Sequence, residues 1–515
     1  MPISSLLINF LLLMVIAFGL RKIQAIQSTV SLILRGALFI GAVWLAITAI
    51  GYLFTPLFFD HAESNIATVA ATWLKGNLIY TPVESANRYS LLYGPWPYLV
   101  TAFFQSFGSS TVFLSKIPGV LNLGLLFAGF TLLGSELKAS RSEKFFALAL
   151  VALVLLGFYN FSYWNRPDSY LMAYVFLALV LVTKSSKVGP WGTYLGVALL
   201  AGLASNCKLH GVLYFAPIIV HFLEVQKNQR SVVKLSVAGA LFLVGAILPF
   251  LFSHVGGEFY LSWLKMASKH GLVLKDFIKN VTFITSFTLL LILFGFPRKY
   301  KITFIAFCVS VLLVAVAASK PGAGPHHFIP FIPVILWWSL REYFEMSQED
   351  RNKVSIVWVA FVLTVTLNAV NRQKRVVELF SQTSERKAEF IDLQNLVGEL
   401  PPGDVEMGIA GNLAYESTFY KVSLVAQNRG LLLDGAALMD TSASKLEIPE
   451  RTIAVIKACA IPYFIFPKKE SPWSIINFYD DKPLFSDEFK KNFNTSYEKD
   501  RESNYFAVYK CKSAR

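Results

Sequence analysis

Residues 145–183 read FFALALVALVLLGFYNFSYWNRPDSYLMAYVFLALVLVT. Two apolar runs, 145–163 and 170–183, are parted only by Trp164-Asn165-Arg166-Pro167-Asp168-Ser169. Helices of this composition are stable where lipid is the solvent, and Pro167 breaks one helix just where the next begins. An Arg and an Asp are thereby set at the membrane boundary. Working outward, similar apolar segments lie near 3–20, 36–58, 111–134, 191–206, 210–223, 235–252, 281–297, 302–318, 326–340 and 354–369. The expected fold is an α-helical polytopic membrane protein of about twelve spans.

Composition agrees. Apolar residues make up 55% of the 515 and charged residues 16%, against roughly 25% charge in soluble domains. The net charge of +14 is confined to the membrane part: residues 1–369 carry 27 Lys and Arg against 13 Asp and Glu, while 370–515 carry 20 of each. Basic residues sit in short loops between apolar runs rather than on one soluble face, which argues against nucleic acid as a partner. Seventeen of them, beginning Arg21, Lys22, Arg35 and Lys138, fall on one set of loops and ten on the other. The larger set is expected in the cytoplasm. Both chain ends, the long loop 59–110 and the tail then face outward. The first segment lacks a basic start and a small-residue cleavage site, so it reads as a retained span.

The domain reading is 1–371 for the membrane part and 372–515 for the tail. Residues 373–400 look helical and stop at Pro401-Pro402-Gly403-Asp404. Short apolar runs at 405–410, 431–433, 462–467 and 505–509 alternate with helix-like stretches such as 450–458. They suggest a small extracytoplasmic α/β domain. Cys459 and Cys511 both lie there, where an oxidising compartment permits a disulfide, although spacing alone does not say whether they pair. Cys207 and Cys308 read as small apolar fillers.

Four constellations carry candidate chemistry. Phe58-Phe59-Asp60-His61-Ala62-Glu63 sets two acids directly at a span end, a costly place that implies a role. Ile66, Val69, Ala70, Trp73 and Leu74 then follow helical spacing up to a stop at Gly76, which predicts an amphipathic helix lying along the interface. The structural alternative is that Asp60 caps this helix and Glu63 completes a capping-box pair. Arg88 and Tyr93 fall in an aromatic, Gly- and Pro-rich turn that ends at Tyr98. Arg166 is suited to a phosphate, with Asp168 orienting it or capping the next helix; the alternative is a local Arg–Asp pair closing a hairpin. Asn206-Cys207-Lys208-Leu209-His210-Gly211 and the segment 319–327, with Lys320, His326 and His327, add cations at the same membrane face. Together these suit an anionic head group whose apolar tail stays in the bilayer. Adjacent helical residues diverge by about 100 degrees, which disfavours His326 and His327 as a metal pair.

Asp60 with Glu63, the turn Leu74-Lys75-Gly76-Asn77, Tyr93-Gly94-Pro95, Arg166-Pro167-Asp168 and the stretch 324–333 resemble C-type glycosyltransferases. The branch they resemble contains bacterial aminoarabinose transferases and protein O-mannosyltransferases. The resemblance covers about 36–369, and an outward α/β tail also suits that branch. Two departures stand out: His61 and Ala62 separate acids that are often adjacent in the family, and a span precedes the segment leading to the acidic loop. The resemblance implies a multi-pass protein of the bacterial inner membrane with an outward active site. Its partners would be membrane lipid and a polyprenyl-phosphate-linked sugar donor, and the acceptor a lipid, glycan or protein. Transfer would be a single inverting displacement. Asp60 would be general base, Glu63 would orient the acceptor or join Asp60 in holding a divalent ion, and Arg166, Lys208, His210, Lys320 and His326 would neutralise the departing phosphate. The competing reading is a secondary transporter or flippase for an anionic lipid or solute. Transporters place ionisable residues near the midplane in matching halves, and no second copy of the Asp60 loop is present. A third reading is a relative that binds a polyprenyl lipid without turnover.

Overall fold

Large apolar side chains face outwards along the long helices, the reverse of a soluble protein. On the helix Val232–Ile247 the residues Val232, Val233, Leu235, Val237, Leu243, Val244 and Ile247 are all exposed, and Ile302, Ile305, Val309, Leu312, Leu313 and Val316 are exposed on Lys301–Ala317. Such surfaces are stable only where hydrocarbon is the solvent. The computed structural model describes residues 4–20, 24–109, 111–137, 139–401, 403, 405–411 and 416–512; Arg21, Lys22, Lys138, Pro402 and Asp404, used in the sequence reading, lie outside the described residues. Each of the twelve expected segments falls in helix. Five helical stretches, 35–54, 111–134, 232–251, 274–293 and 348–381, are long and apolar enough to span a bilayer, and shorter apolar helices occupy 6–15, 167–183, 209–225 and 301–317. The chain is a polytopic helical membrane protein with a small C-terminal sheet.

The chain forms two compact units, and each draws on separated stretches of sequence. The first comprises Met1–Tyr52, Gly119–Leu248 and Leu272–Glu378. Pro190–Cys207 packs on one side against Val232–Ile247 and on the other against Pro167–Thr183. The first of these contacts closes because glycines meet: a Cβ at Gly202 would strike the backbone at Phe242, Gly245 and Ala246. Close approach of small residues is how helices associate where lipid removes the hydrophobic drive. Asn206 ties the same pair, its amide donating to the carbonyls of Gly245 (2.9 Å) and Ala246 (2.7 Å).

The second unit comprises Leu53–Pro118, Pro249–Gly271 and Leu379–Arg515. Here two sequence expectations change. The helix expected along the interface, His61–Leu74, is a core helix: all residues from Ala62 to Thr72 are buried, packed against Trp96–Gln105 and Glu416–Ala426. Its nominally polar face carries only small Ser, Ala and Thr side chains apart from Asn65, whose amide donates to the Tyr89 carbonyl (2.6 Å). Second, the helix Gln348–Ser381 runs through the expected boundary at 371, and the loop 59–110 belongs to the same unit as the tail.

The tail sheet has four strands, β1 (Val405–Met407), β2 (Tyr463–Pro467), β3 (Tyr497–Glu502) and β4 (Phe506–Cys511), in the order β1-β2-β4-β3. β1 and β2 are parallel; the other pairs are antiparallel. The expected run 431–433 makes only a bridge from Leu433 to Arg88. Cys459 and Cys511 form a disulfide beside the aromatic core of Phe464, Phe466, Trp473, Phe489 and Phe493.

Two acids in this unit hold their protons unusually tightly. Burial raises Glu406 to about 7 despite the Lys421 ammonium 3.3 Å away. Burial also raises Asp440 to about 6, partly offset by the Tyr479 hydroxyl, which donates to it at 2.7 Å. The folded state therefore binds more protons than the unfolded chain from about pH 4 to pH 7, and the unit should lose stability as pH rises through that window. Pulse proteolysis of the full chain in urea should show a midpoint falling from pH 5 to pH 7.5. Asp440→Asn, which keeps the Tyr479 partner, should remove the part of the slope that lies below about pH 6; an unchanged slope would contradict this assignment.

Candidate functional site

In the first unit, backbone sterics build the Arg-Pro-Asp turn. A Cβ at Gly119 would overlap the Tyr163 carbonyl oxygen and the Asn165 nitrogen, so only glycine lets the turn settle there. The Tyr52 hydroxyl lies 3.1 Å from the Asn165 amide nitrogen, and the Tyr170 hydroxyl donates to the Asn165 side chain at 2.9 Å. Pro167 opens the helix Pro167–Thr183, and the N-cap position belongs to Arg166. Asp168 does not cap, contrary to expectation, because its carboxylate turns to Lys208, whose ammonium donates to Oδ1 at 2.7 Å. Arg166 Nε stands 3.8 Å from Oδ2. The local Arg–Asp pair is thus the weaker half of a three-member group.

All three are buried. A buried carboxylate stays ionised only when paired, and here two cations share it. The Arg166 guanidinium lies over the Phe161 ring at 4.7 Å, and His326 stacks on that ring, also at 4.7 Å and nearly parallel at 3°. His327 Nδ1 is 3.0 Å from His210 Nε2, and the Tyr214 hydroxyl lies 3.1 Å from that same nitrogen while donating to the His327 carbonyl at 2.6 Å. The structure therefore brings together Arg166, Asp168, Lys208, His210, His326 and His327. Half-buried Lys320 precedes the last two in sequence, in the turn whose Ser319 carbonyl accepts from Val273 N at 2.8 Å. Phe161 and Tyr214 escaped the sequence reading because aromatic residues are common throughout these spans. Gly119 did not stand out either, being one of four glycines in the helix Thr111–Gly134.

In the second unit, the acidic pair adopts capping-box geometry. Asp60 is the N-cap of His61–Leu74, its Oδ1 accepting from Ala62 N at 2.8 Å, and Glu63 Oε1 accepts from the backbone N–H groups of Phe59 and Asp60. Asp60 is half-buried and Glu63 fully buried. Lys116, on the helix Thr111–Gly134, is fully buried and donates to the carbonyls of Thr55 (2.8 Å) and Leu57 (2.6 Å). It satisfies the chain just after the preceding span and acts electrostatically on Glu63. Among the described residues no three His, Cys, Asp or Glu gather to hold a metal ion. As arranged, Asp60 Oδ1 and Glu63 Oε1 serve the cap.

Arg88 is structural where a substrate contact was expected. Its Nη1 and Nη2 donate to the carbonyls of Glu447 and Val83, both at 2.8 Å, and its own backbone joins Leu432 and Asp434. Both Nη atoms are thereby tied to backbone carbonyls, while the buried Nε makes no hydrogen bond among the described residues. Half-buried Tyr93 packs beside Ala62, Leu91 and Ala436, and its carbonyl accepts from the Tyr80 hydroxyl at 2.5 Å.

Residues 95–253 match the family model described as dolichyl-phosphate-mannose-protein mannosyltransferase. The matched segment contains the Arg166 turn, Lys208 and His210, and the resemblance to C-type glycosyltransferases is borne out there. Among solved structures, the chain is similar to arabinosyltransferase EmbB from Mycobacterium smegmatis, with 12% identity, a TM-score of 0.36, and coverage of 66% of this chain and 41% of that one. It is also similar to the oligosaccharyltransferase AglB from Archaeoglobus fulgidus, solved with an inhibitory peptide and a dolichol-phosphate, with 10% identity, a TM-score of 0.42, and coverage of 84% and 69%. The chain thus spans well under half the length of the first. A comparison with curated proteins gives no match.

The ion group predicts a particular pattern of rescue. Lys208→Met or Asp168→Asn alone leaves a buried charge short of its partner and should cost on the order of 3–5 kcal/mol. The double variant should recover most of that loss, read as thermal stability of the detergent-extracted protein by size exclusion. Simple additivity of the two losses would show that the pair is not coupled.

Proposed function

We propose that this chain is a membrane glycosyltransferase that moves a sugar from a polyprenyl-phosphate-linked donor to an extracytoplasmic acceptor. The observation that carries the reading is the Arg166–Asp168–Lys208 group, two cations meeting one carboxylate, buried in a membrane unit and lying within the segment matched by the mannosyltransferase family model. A lipid-linked phosphate is the anion that reaches such a place with its tail still in hydrocarbon. Burial strengthens the attraction to the charge that grows on the leaving phosphate.

In this reading the acceptor oxygen attacks the anomeric carbon, its proton passes to the Asp60 carboxylate, and the bond from that carbon to the phosphate oxygen breaks. The electron pair leaves on the lipid phosphate, which Arg166 and Lys208 neutralise, with Lys320, His210 and His326 as further donors. A single displacement inverts the anomeric configuration. Glu63 acts through the helix cap, fixing the backbone that carries Asp60. The excess of basic residues on the opposite loops supports an outward site and tail in the inner membrane of a bacterium.

Asp60→Asn separates capping from catalysis, because Asn caps a helix about as well as Asp but accepts no proton at working pH. The variant should insert and fold normally, yet release polyprenyl phosphate at least about a hundredfold more slowly. Near-normal release from folded Asp60→Asn would remove Asp60 as base. Arg166→Lys keeps charge but loses the planar fork, so the donor concentration needed for half-maximal rate should rise. Orientation has its own check. A reporter active only in the cytoplasm, fused after Arg515, should stay dark; a bright signal would overturn the outward placement.

A further inference from the structure

We infer that the second unit carries a binding site for a neutral saccharide, set well apart from Asp60. A cavity of about 450 Å³ lies there, within the roughly 300–1,000 Å³ range of small-molecule sites. Its walls come from the end of the helix His61–Leu74 (Thr72, Lys75, Asn77), the loop residues Asn87 and Tyr89, β1 with Glu406, and the turn around Asn428.

The chemistry of the walls selects the ligand. Every cation at the cavity is already committed. Lys75 donates to the Val425 carbonyl. Arg429 places Nη1 on the carbonyls of Pro401 (2.9 Å) and Gly403 (2.7 Å) and Nη2 on those of Val397 (3.1 Å) and Leu400 (3.2 Å). Glu406 adds a carboxyl whose Oε2 accepts from Leu432 N at 2.8 Å and whose Oε1 faces Lys421, so its oxygens, like the Nη groups of Arg429, already have partners inside the fold. The side-chain amides of Asn87 and Asn428, by contrast, make no hydrogen bond among the described residues. Each offers both donor and acceptor. Tyr89 spends its hydroxyl on the Leu78 carbonyl at 2.6 Å and leaves its ring as an apolar wall. Two amides and an aromatic ring in one cavity, with the Arg429 and Glu406 side chains turned to partners in the fold, fit a hydroxyl-rich neutral ring.

Position assigns the role. Asp60 caps one end of a 14-residue helix and the cavity opens at the other, a separation of about 21 Å at 1.5 Å per residue. The cavity therefore holds a saccharide unit remote from the reacting hydroxyl, such as a distal ring of a glycan acceptor. That role rests on the transferase reading, whereas binding itself does not.

The test measures binding without turnover. The full chain in phosphatidylcholine nanodiscs, free of sugar-headed detergent, is examined by saturation-transfer NMR with glucose, mannose, N-acetylglucosamine and their disaccharides, and with glucuronate as anionic control. At least one neutral sugar should bind saturably, and glucuronate more weakly. Asn428→Gly should weaken binding at least tenfold without unfolding the turn, since Asn428 sits at φ 61°, where glycine is at ease. Asn87→Ala should act in the same direction. No binding by any neutral sugar, tighter binding of glucuronate, or binding indifferent to both substitutions would overturn the proposal. A wild-type sugar isotherm in a protein that lacks transfer activity would leave this site standing and remove only its role as acceptor site.

Discussion

The contact between the Lys208 ammonium and the Asp168 carboxylate, 2.7 Å long and shielded from solvent, is the interaction on which the membrane unit turns. A carboxylate at the first turn of a membrane helix cannot remain ionised alone, and its partner arrives from the end of the helix Pro190–Cys207. That partner is in reach because Gly202 and Gly245 let two backbones close, and because Asn206 fastens the same helix next to Lys208. Arg166 lies over the Phe161 ring, and His326 stacks on the same ring. Helix packing and the charge cluster are one arrangement: loosening the first misplaces the second.

The acidic loop shows why a structural role and a chemical one need not compete. Capping uses one Asp60 oxygen and holds its carbon skeleton in a fixed direction at the N-terminal end of the helix. Glu63, buried and engaged by two backbone amides, fixes the entry to the same turn. Lys116 beneath them closes the carbonyls that follow the preceding span. Preorganisation of this kind is what a residue needs if it is to receive a proton without rearranging.

Much of this was legible in the sequence, for identifiable reasons. Hydropathy located each helical segment because lipid tolerates little else, and the polar interruptions at Asp60, Arg166, Lys208 and His326 stood out against that background. Partner choice did not show. Arg166 and Asp168 are two residues apart and invite pairing, yet a lysine forty residues away wins through geometry fixed by helix packing. Arg88 had the composition of a ligand contact, and only the carbonyls of Val83 and Glu447 reveal a staple. The helix His61–Leu74 carried a misleading stripe because Ser, Ala and Thr read as polar or neutral but bury readily. β3 was hidden by its sequence, Tyr-Glu-Lys-Asp-Arg-Glu, the charged run typical of an edge strand.

The interleaved second unit has a consequence in time. The helix His61–Leu74 is made early, but Glu416–Ala426, which covers one of its sides, emerges about 350 residues later. At roughly 5–20 residues per second, the early, Ala-rich helix waits about 20–70 s with that side uncovered. During that interval every later span has to be threaded into the bilayer. The nascent loop therefore needs a temporary cover, from lipid or from the insertion machinery, and a slow or stalled ribosome prolongs its exposure. Synthesis rate would then influence the yield of this protein even where its final stability is unchanged.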